Sequence, residues 1–250
     1  MCRPLSYERG NIWGIKMNYY GSEQFKKFDE EENEAVFSHI DFSMPYENKR
    51  LDGGYVLQRY YYAKESRNPF IAQRDGEVCR LYKDSELAFE WKCYGERSNF
   101  DIIDHSNGKK YLVFKEALYG YGVFDFETGE AVHYLPWESY QSGDDFNETF
   151  IWVKLHYDKS SDLLAVVGCY WAAPYSVIVL DFSDPMKIVE QDRWLDLSEV
   201  GEEYLKPVEE NKSYVCYPID FVSWEKDRIV CSSFEIEKNK LFDLIKKEKQ

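Results

Sequence analysis

The chain has 250 residues, a length at which an all-β protein folds as a single domain and hides roughly 75% of its unfolded surface, so disulfides are not needed for stability. Hydrophobic residues make up 44%, charged residues 31% and aromatic residues 18%, which excludes a disordered chain and favours strands over helices. A net charge of −15 argues against nucleic acid and anionic membrane as partners, because both require Lys and Arg to neutralise phosphate.

In chain order, residues 11–20 come first. They alternate Ile12, Gly14 and Lys16 against Trp13, Ile15 and Met17, which predicts a lone strand. Met17 is an alternative start. Residues 24–34 are strongly acidic and predict a solvated turn or short helix. No charged-then-apolar leader is visible, and no apolar run reaches the ~20 residues of a membrane span. The expected compartment is a reducing cytoplasm. Of the cysteines at 2, 79, 93, 169, 216 and 231, none forms a C-x-x-C pair. Cys79, Cys93, Cys169 and Cys231 lie in or beside apolar runs and read as buried free thiols.

Residues 36–98 form a first strand-rich copy. Strands are predicted at 36–43, 55–62 and 87–93, with a hairpin of 70–74 and 77–82 turning on Asp75-Gly76, the favoured type I′ pair. Residues 46–52 are polar and Gly53-Gly54 punctuates them. The second copy, 99–147, has strands at 100–104, 110–114, 121–126 and 130–135, with tight turns at Asn107-Gly108 and at 127–129.

The third copy, 148–200, is the clearest. Apolar runs at 150–158, 163–168, 175–182 and 187–190 are separated by turn chemistry, including Asp184-Pro185; together they predict four consecutive antiparallel strands. A truncated fourth copy spans 213–237, and residues 238–250 form a charged, Lys-rich tail able to be helical. Because this last copy lacks its final strands, its edge must be covered. Residues 11–20 are the expected cover.

The copies superpose. Their first two strands recur at 102–114, 153–167 and 219–233, and Phe124-Asp125-Phe126 matches Leu180-Asp181-Phe182. Four strands repeated at roughly 40–50 residues signal propeller blades. The segment from Val123 to Glu130, Val-Phe-Asp-Phe-Glu-Thr-Gly-Glu, resembles the third strand and turn of a WD-repeat propeller blade, where an Asp ends the strand. The Gly-His pair of that repeat and its Trp before Asp are absent. The resemblance implies an all-β, antiparallel, propeller-like fold of about four blades of four strands. A β-sandwich or extended meander remains the alternative.

No nucleophile elbow, phosphate loop or dinucleotide fingerprint occurs. The histidines are His39, His105, His133 and His156, too few and too scattered to point to a metal site, and no metal or other cofactor is expected. The acidic loop at 143–148 lacks the Asp/Asn spacing of a Ca²⁺ loop. The feature above background is a set of aromatic loops between second and third strands: Tyr61 within a Tyr triplet, Tyr119 and Tyr121 around Gly120, and Tyr170, Trp171 and Tyr175 around Ala172-Ala173-Pro174. In a propeller these loops leave one end of the disc, where Tyr and Trp give large contact area at low entropy cost; the competing account is packing between blades. Two functional readings follow. One is a non-catalytic module binding a protein or peptide, basic given the chain's charge. The other is a hydrolase acting on a carbohydrate or small polar substrate through Asp/Glu at the same face.

Overall fold

The computed structural model describes residues 18–64, 74–136, 149–187, 194–200, 206–207 and 218–247. Among these residues four sheets of four antiparallel strands follow one another along the chain. The first pairs β1 (Glu47–Arg50), β2 (Tyr55–Lys64), β3 (Arg74–Lys83) and β4 (Glu86–Tyr94) in sequence order. The second pairs β5 (Phe100–Asp104), β6 (Lys110–Lys115), β7 (Tyr121–Asp125) and β8 (Ala131–Tyr134) in the same way. So does the third, with β9 (Ile151–Asp158), β10 (Leu163–Cys169), β11 (Ser176–Asp181) and β12 (Trp194–Asp196). The last contains β13 (Lys206–Pro207), β14 (Phe221–Trp224), β15 (Arg228–Cys231) and β16 (Phe234–Glu237), ordered β13-β16-β15-β14.

Side-chain alternation stacks these sheets face to face. In the second sheet Leu112, Phe114 and Phe124 pack on Leu57, Cys79, Leu81 and Trp91 of the first. The intervening Tyr111, Val113, Tyr121 and Val123 pack on Leu164, Val166, Ile178 and Leu180 of the third. Leu163, Ala165, Val177 and Val179 then meet Ile229, Cys231, Phe234 and Ile236 of the fourth. Both faces of the middle sheets are buried, which is why β6, β10 and β11 read as unbroken apolar runs. The far face of the first sheet is covered by Val36, Phe37 and Ile40, packed on Tyr60 and Val78. Among the described residues no hydrophobic cluster joins the first sheet to the last.

The asparagine-glycine turn lies between β5 and β6, where Gly108 takes φ +86° and its N–H bonds the His105 carbonyl at 3.1 Å. The Asp75-Gly76 turn does not form. Both residues lie inside β3, paired with Ala63 and Tyr62, and the hairpin turns instead at Asp84-Ser85, both at positive φ. Gly76 has a packing role: a Cβ there would stand 2.8 Å from the Phe37 ring. Residues 70–73 lie outside the described residues. The strand expected at 36–43 is a 3-10 turn over Phe37–His39, and the polar stretch after it supplies β1, whose ENKR sequence carries no strand signal. In the third sheet the fourth strand is β12. The residues after Asp184 begin a 3-10 turn at Pro185–Lys187, with the Lys187 N–H on the Asp184 carbonyl.

The open edge of the last sheet is filled by β13, through Lys206–Glu235 and Pro207–Phe234 pairing. Of residues 11–20, only 18–20 fall among the described residues, and they bind the second sheet instead. Asn18 bridges Pro136, and the Tyr19 N–H donates to the Leu135 carbonyl at 2.8 Å.

Among the described residues two helices flank the sheets. The acidic segment forms α1 (Glu23–Ala35), capped by Ser22, whose hydroxyl accepts from the Phe25 N–H at 3.0 Å. The tail forms α2 (Lys238–Lys247), which buries Leu241 and Ile245 against Leu195, Leu197 and Ile219. Neither helix is long and apolar enough to cross a membrane.

Candidate functional site

Strand order and register set where the loops emerge. Phe100 pairs with Phe114 and Lys115 with Tyr121, so the start of β5 and the β6–β7 loop share one end of the second sheet. Ile151 pairs with Cys169 in the same sense, which puts the Tyr170–Tyr175 loop at the corresponding end of the third.

The aromatic residues of these loops divide. Tyr119 and Tyr121 are buried. Tyr121 stacks on Trp152 with ring centroids 4.1 Å apart and planes at 9°, joining the second and third sheets as core. Tyr61 is half-buried, and its hydroxyl donates to Asp75 at 2.5 Å; burial and this bond push its phenol up to about 12. Tyr170 sets its ring edge-on to Phe150 at 5.3 Å. Trp171 and Tyr175 are exposed, at 61% and 46%.

The loop carrying these two is fixed at its base. Besides the Tyr170 ring, the Ala173 N–H donates to the Tyr170 carbonyl at 3.0 Å, and the Tyr175 carbonyl accepts from the Ile219 N–H at 2.8 Å. Ala172 sits at φ +59°, a costly conformation for a residue with a Cβ. Pro174 removes one donor and fixes another φ. The backbone therefore holds Trp171 outward from an anchored turn.

A cleft of about 370 Å³ opens among β2, β5, β6 and β9, inside the size range of small-molecule sites. Its apolar wall is Phe100, Phe114, Trp152 and Leu155; its polar wall is Arg59, Ser98 and Lys115. Glu77, with no exposed surface, holds Arg59 through Nε at 2.8 Å and Nη2 at 3.0 Å. Its Oε2 also accepts from the Ser98 N–H at 2.6 Å, and its Oε1 from the Tyr46 hydroxyl. Arg59 Nη1 reaches Glu47 at 2.9 Å. Lys115 Nζ lies 2.7 Å from Glu96. A buried charge network of this kind is costly unless every member is paired, and its pairing rigidifies the wall. Asn99, Asp101 and Lys154 stand exposed on the rim.

The histidines are each engaged locally. His105 Nε2 bonds the Phe182 carbonyl at 2.9 Å, and His156 stacks on Phe221 at 3.9 Å. His39 lies over Tyr62. His133 Nδ1 is 2.5 Å from Glu116, whose carboxyl is raised by burial and partly brought back by His133. That pair lies under Tyr20, which stacks on the His133 ring at 4.2 Å, and neither residue lines the cleft. Among the described residues no three His, Cys, Asp or Glu side chains group as metal ligands do.

Comparison with known proteins gives no match to a protein family, a curated protein or a solved structure. Sequence reasoning missed the cleft. Its one signal was phase: Arg59 follows Tyr55 and Leu57, and Glu77 precedes Cys79 and Leu81, at alternate positions that face the core.

Proposed function

We propose that this protein is a non-catalytic binding module of propeller-like blades, which takes a protein or peptide partner on the Trp171–Tyr175 loop. The observation that carries this reading is an exposed Trp and Tyr on a loop whose backbone is pinned on both sides. Exposed large aromatics on a stiff support contribute much of the binding energy at interfaces, because little entropy is lost on docking. The net charge of −15 favours a basic partner, and an inhibitor or immunity role against such a protein is one form of the reading. Propeller-like order is supported by three consecutive face-to-face packings and by the edge strands β5 and β9 meeting at one cleft.

The hydrolase reading draws less support. A glycosidase needs two carboxyl groups flanking the bond, whereas Asp101 is the single carboxylate among the described residues lining the cleft. Affinity capture with tagged protein tests the proposal. Partners retained by the parent should be lost from Trp171→Ala and Tyr175→Ala, while Trp171→Ala melts within about 2 °C of the parent, as surface substitutions do. Unfolding of Trp171→Ala, or full retention of the partner, would overturn it.

A further inference from the structure

One side of the cleft is shaped by a β-bulge. Lys154 pairs with Val167 and Trp152 with Gly168, so Val153 is the extra residue of β9. Gly168 permits this close approach, because a Cβ there would collide with the Ile151 carbonyl oxygen. A bulge re-aims side chains, and Trp152, Val153, Lys154 and Leu155, four residues in a row, all line the opening. On β5, Phe100 and Ile102 pack toward the first sheet and Ile103 toward the third. Asp101, in phase with Ile103, therefore faces β9. Asp101 and Lys154 are both exposed in the cleft. Among the described residues neither has an ion pair, with the other or with a third group, whereas Arg59 and Lys115 spend their charge on Glu47, Glu77 and Glu96. Burial lowers the His156 imidazole, Lys154 adds to this and Asp101 opposes it, so both charges stand near one ring. Trp152 is 5% exposed and held by its stack on Tyr121. Its indole N–H has no hydrogen-bond partner among the described residues, although a buried indole N–H ordinarily has one.

We infer that the cleft binds a free α-amino acid with an apolar side chain. Asp101 takes its ammonium group, Lys154 and the Trp152 N–H take its carboxylate, and its side chain lies on Phe100 and Leu155. An unpaired carboxylate and an unpaired cation on one opening call for a ligand that carries both charges, since each charge-assisted hydrogen bond is strong. The field of the whole chain points the same way. A net charge of −15 repels a free anion, and a bare cation would leave Lys154 unmatched. Trp152 and Lys154 flank the bulged Val153, so two donors serve one carboxylate. The volume of about 370 Å³ suits a free small molecule.

The probes are L-phenylalanine and L-leucine, titrated into the full chain by calorimetry. N-acetyl-L-phenylalanine, which lacks the ammonium group, and L-phenylalaninamide, which lacks the carboxylate, serve as matched controls and stand in for the ends of a peptide. At least one free amino acid should bind saturably, one to one, and phenylalanine about tenfold or more tighter than either blocked form, the size of one hydrogen bond to a charged group. Asp101→Asn and Lys154→Met should each weaken phenylalanine by about tenfold or more. Both are exposed positions, so each variant should melt with the parent; the blocked forms test the same contacts on the parent protein itself. Trp171→Ala should leave phenylalanine binding unchanged, which separates this site from the aromatic loop. No saturable binding of either amino acid, equal binding of the free and blocked forms, an unchanged affinity in Asp101→Asn or Lys154→Met, or loss of binding in Trp171→Ala would each overturn the inference.

Discussion

Gly76 shows how a single residue misleads and then explains. Asp75-Gly76 is a strong hairpin signal, yet the backbone runs through it as strand, with Gly76 paired to Tyr62 on one side and Tyr94 on the other, and Phe37 packs directly over the glycine. A Cβ there would meet the Phe37 ring at 2.8 Å and the Cys93 carbonyl at 3.2 Å. Gly76→Ala should therefore cost about 1–3 kcal/mol, the usual range for overpacking, read as a fall in the denaturant midpoint at constant slope. A stability equal to the parent's would mean that Phe37 has room to move. Trp171 and Trp152 make the matching contrast between aromatics. Both sit near strand ends in aromatic-rich sequence, and nothing local distinguishes them. One is exposed and the other stacks in the core because Trp152 pairs with Gly168, inside the sheet, whereas Trp171 lies beyond its end.

At the scale of elements, turn chemistry carried most of what was legible. Asp125 closes β7 as an Asp should, with Oδ1 accepting from the Glu127 N–H at 2.7 Å, and Asp181 repeats this toward Ser183 at 3.1 Å. Strands built from charged residues, such as β1, were not legible, because pairing to β2 rather than side-chain pattern makes them strands. Nor was the source of the last sheet's outer strand, since β13 is only Lys206–Pro207. Residues 18–20 dock on the second sheet through Asn18, whose side chain bonds the His133 carbonyl at 2.7 Å and the Leu135 N–H at 3.0 Å, and through buried Tyr19. Removing residues 1–20 should lower stability by several kcal/mol, since a buried aromatic alone is worth about 3–5 kcal/mol on truncation. An unchanged melting temperature would show the segment to be dispensable.

Helix α2 is anchored by an ion pair, and this gives a pH dependence. Lys238 Nζ lies 2.5 Å from Asp158, and both side chains are nearly buried. Burial alone would raise the Asp158 carboxyl, but bonds from Lys238, Ser161 and Ser160 together hold it below the usual carboxylate range. A depressed carboxyl stabilises the fold above its unfolded value of about 3.9 and loses that stabilisation as pH falls through the lower folded value. Lys238→Met should cost about 3 kcal/mol at pH 7, in line with breaking a buried pair. The deficit should shrink below about pH 4, where the lone carboxyl is protonated. Urea melts of parent and variant at pH 7 and pH 3 check this; a deficit independent of pH would mean that lost packing, not charge, is responsible.

Across the described residues, four sheets pack in chain order, a cleft opens among β2, β5, β6 and β9, and an aromatic loop stands clear of the core. The repeat of turns and apolar runs made this order legible, because both faces of the middle sheets are buried. Which aromatics are core and which are surface was settled by packing between sheets, and that information is not local in the sequence. The cleft was hidden for the same reason, since its walls come from separate copies. The central claim is that Trp171 serves binding and not folding. Affinity capture of the partner by Trp171→Ala and parent protein, at matched concentration and with the melting temperature of each recorded, tests it most directly. The account predicts an unchanged melting temperature with capture reduced at least tenfold; capture equal to the parent's, or a variant that no longer folds, would contradict it.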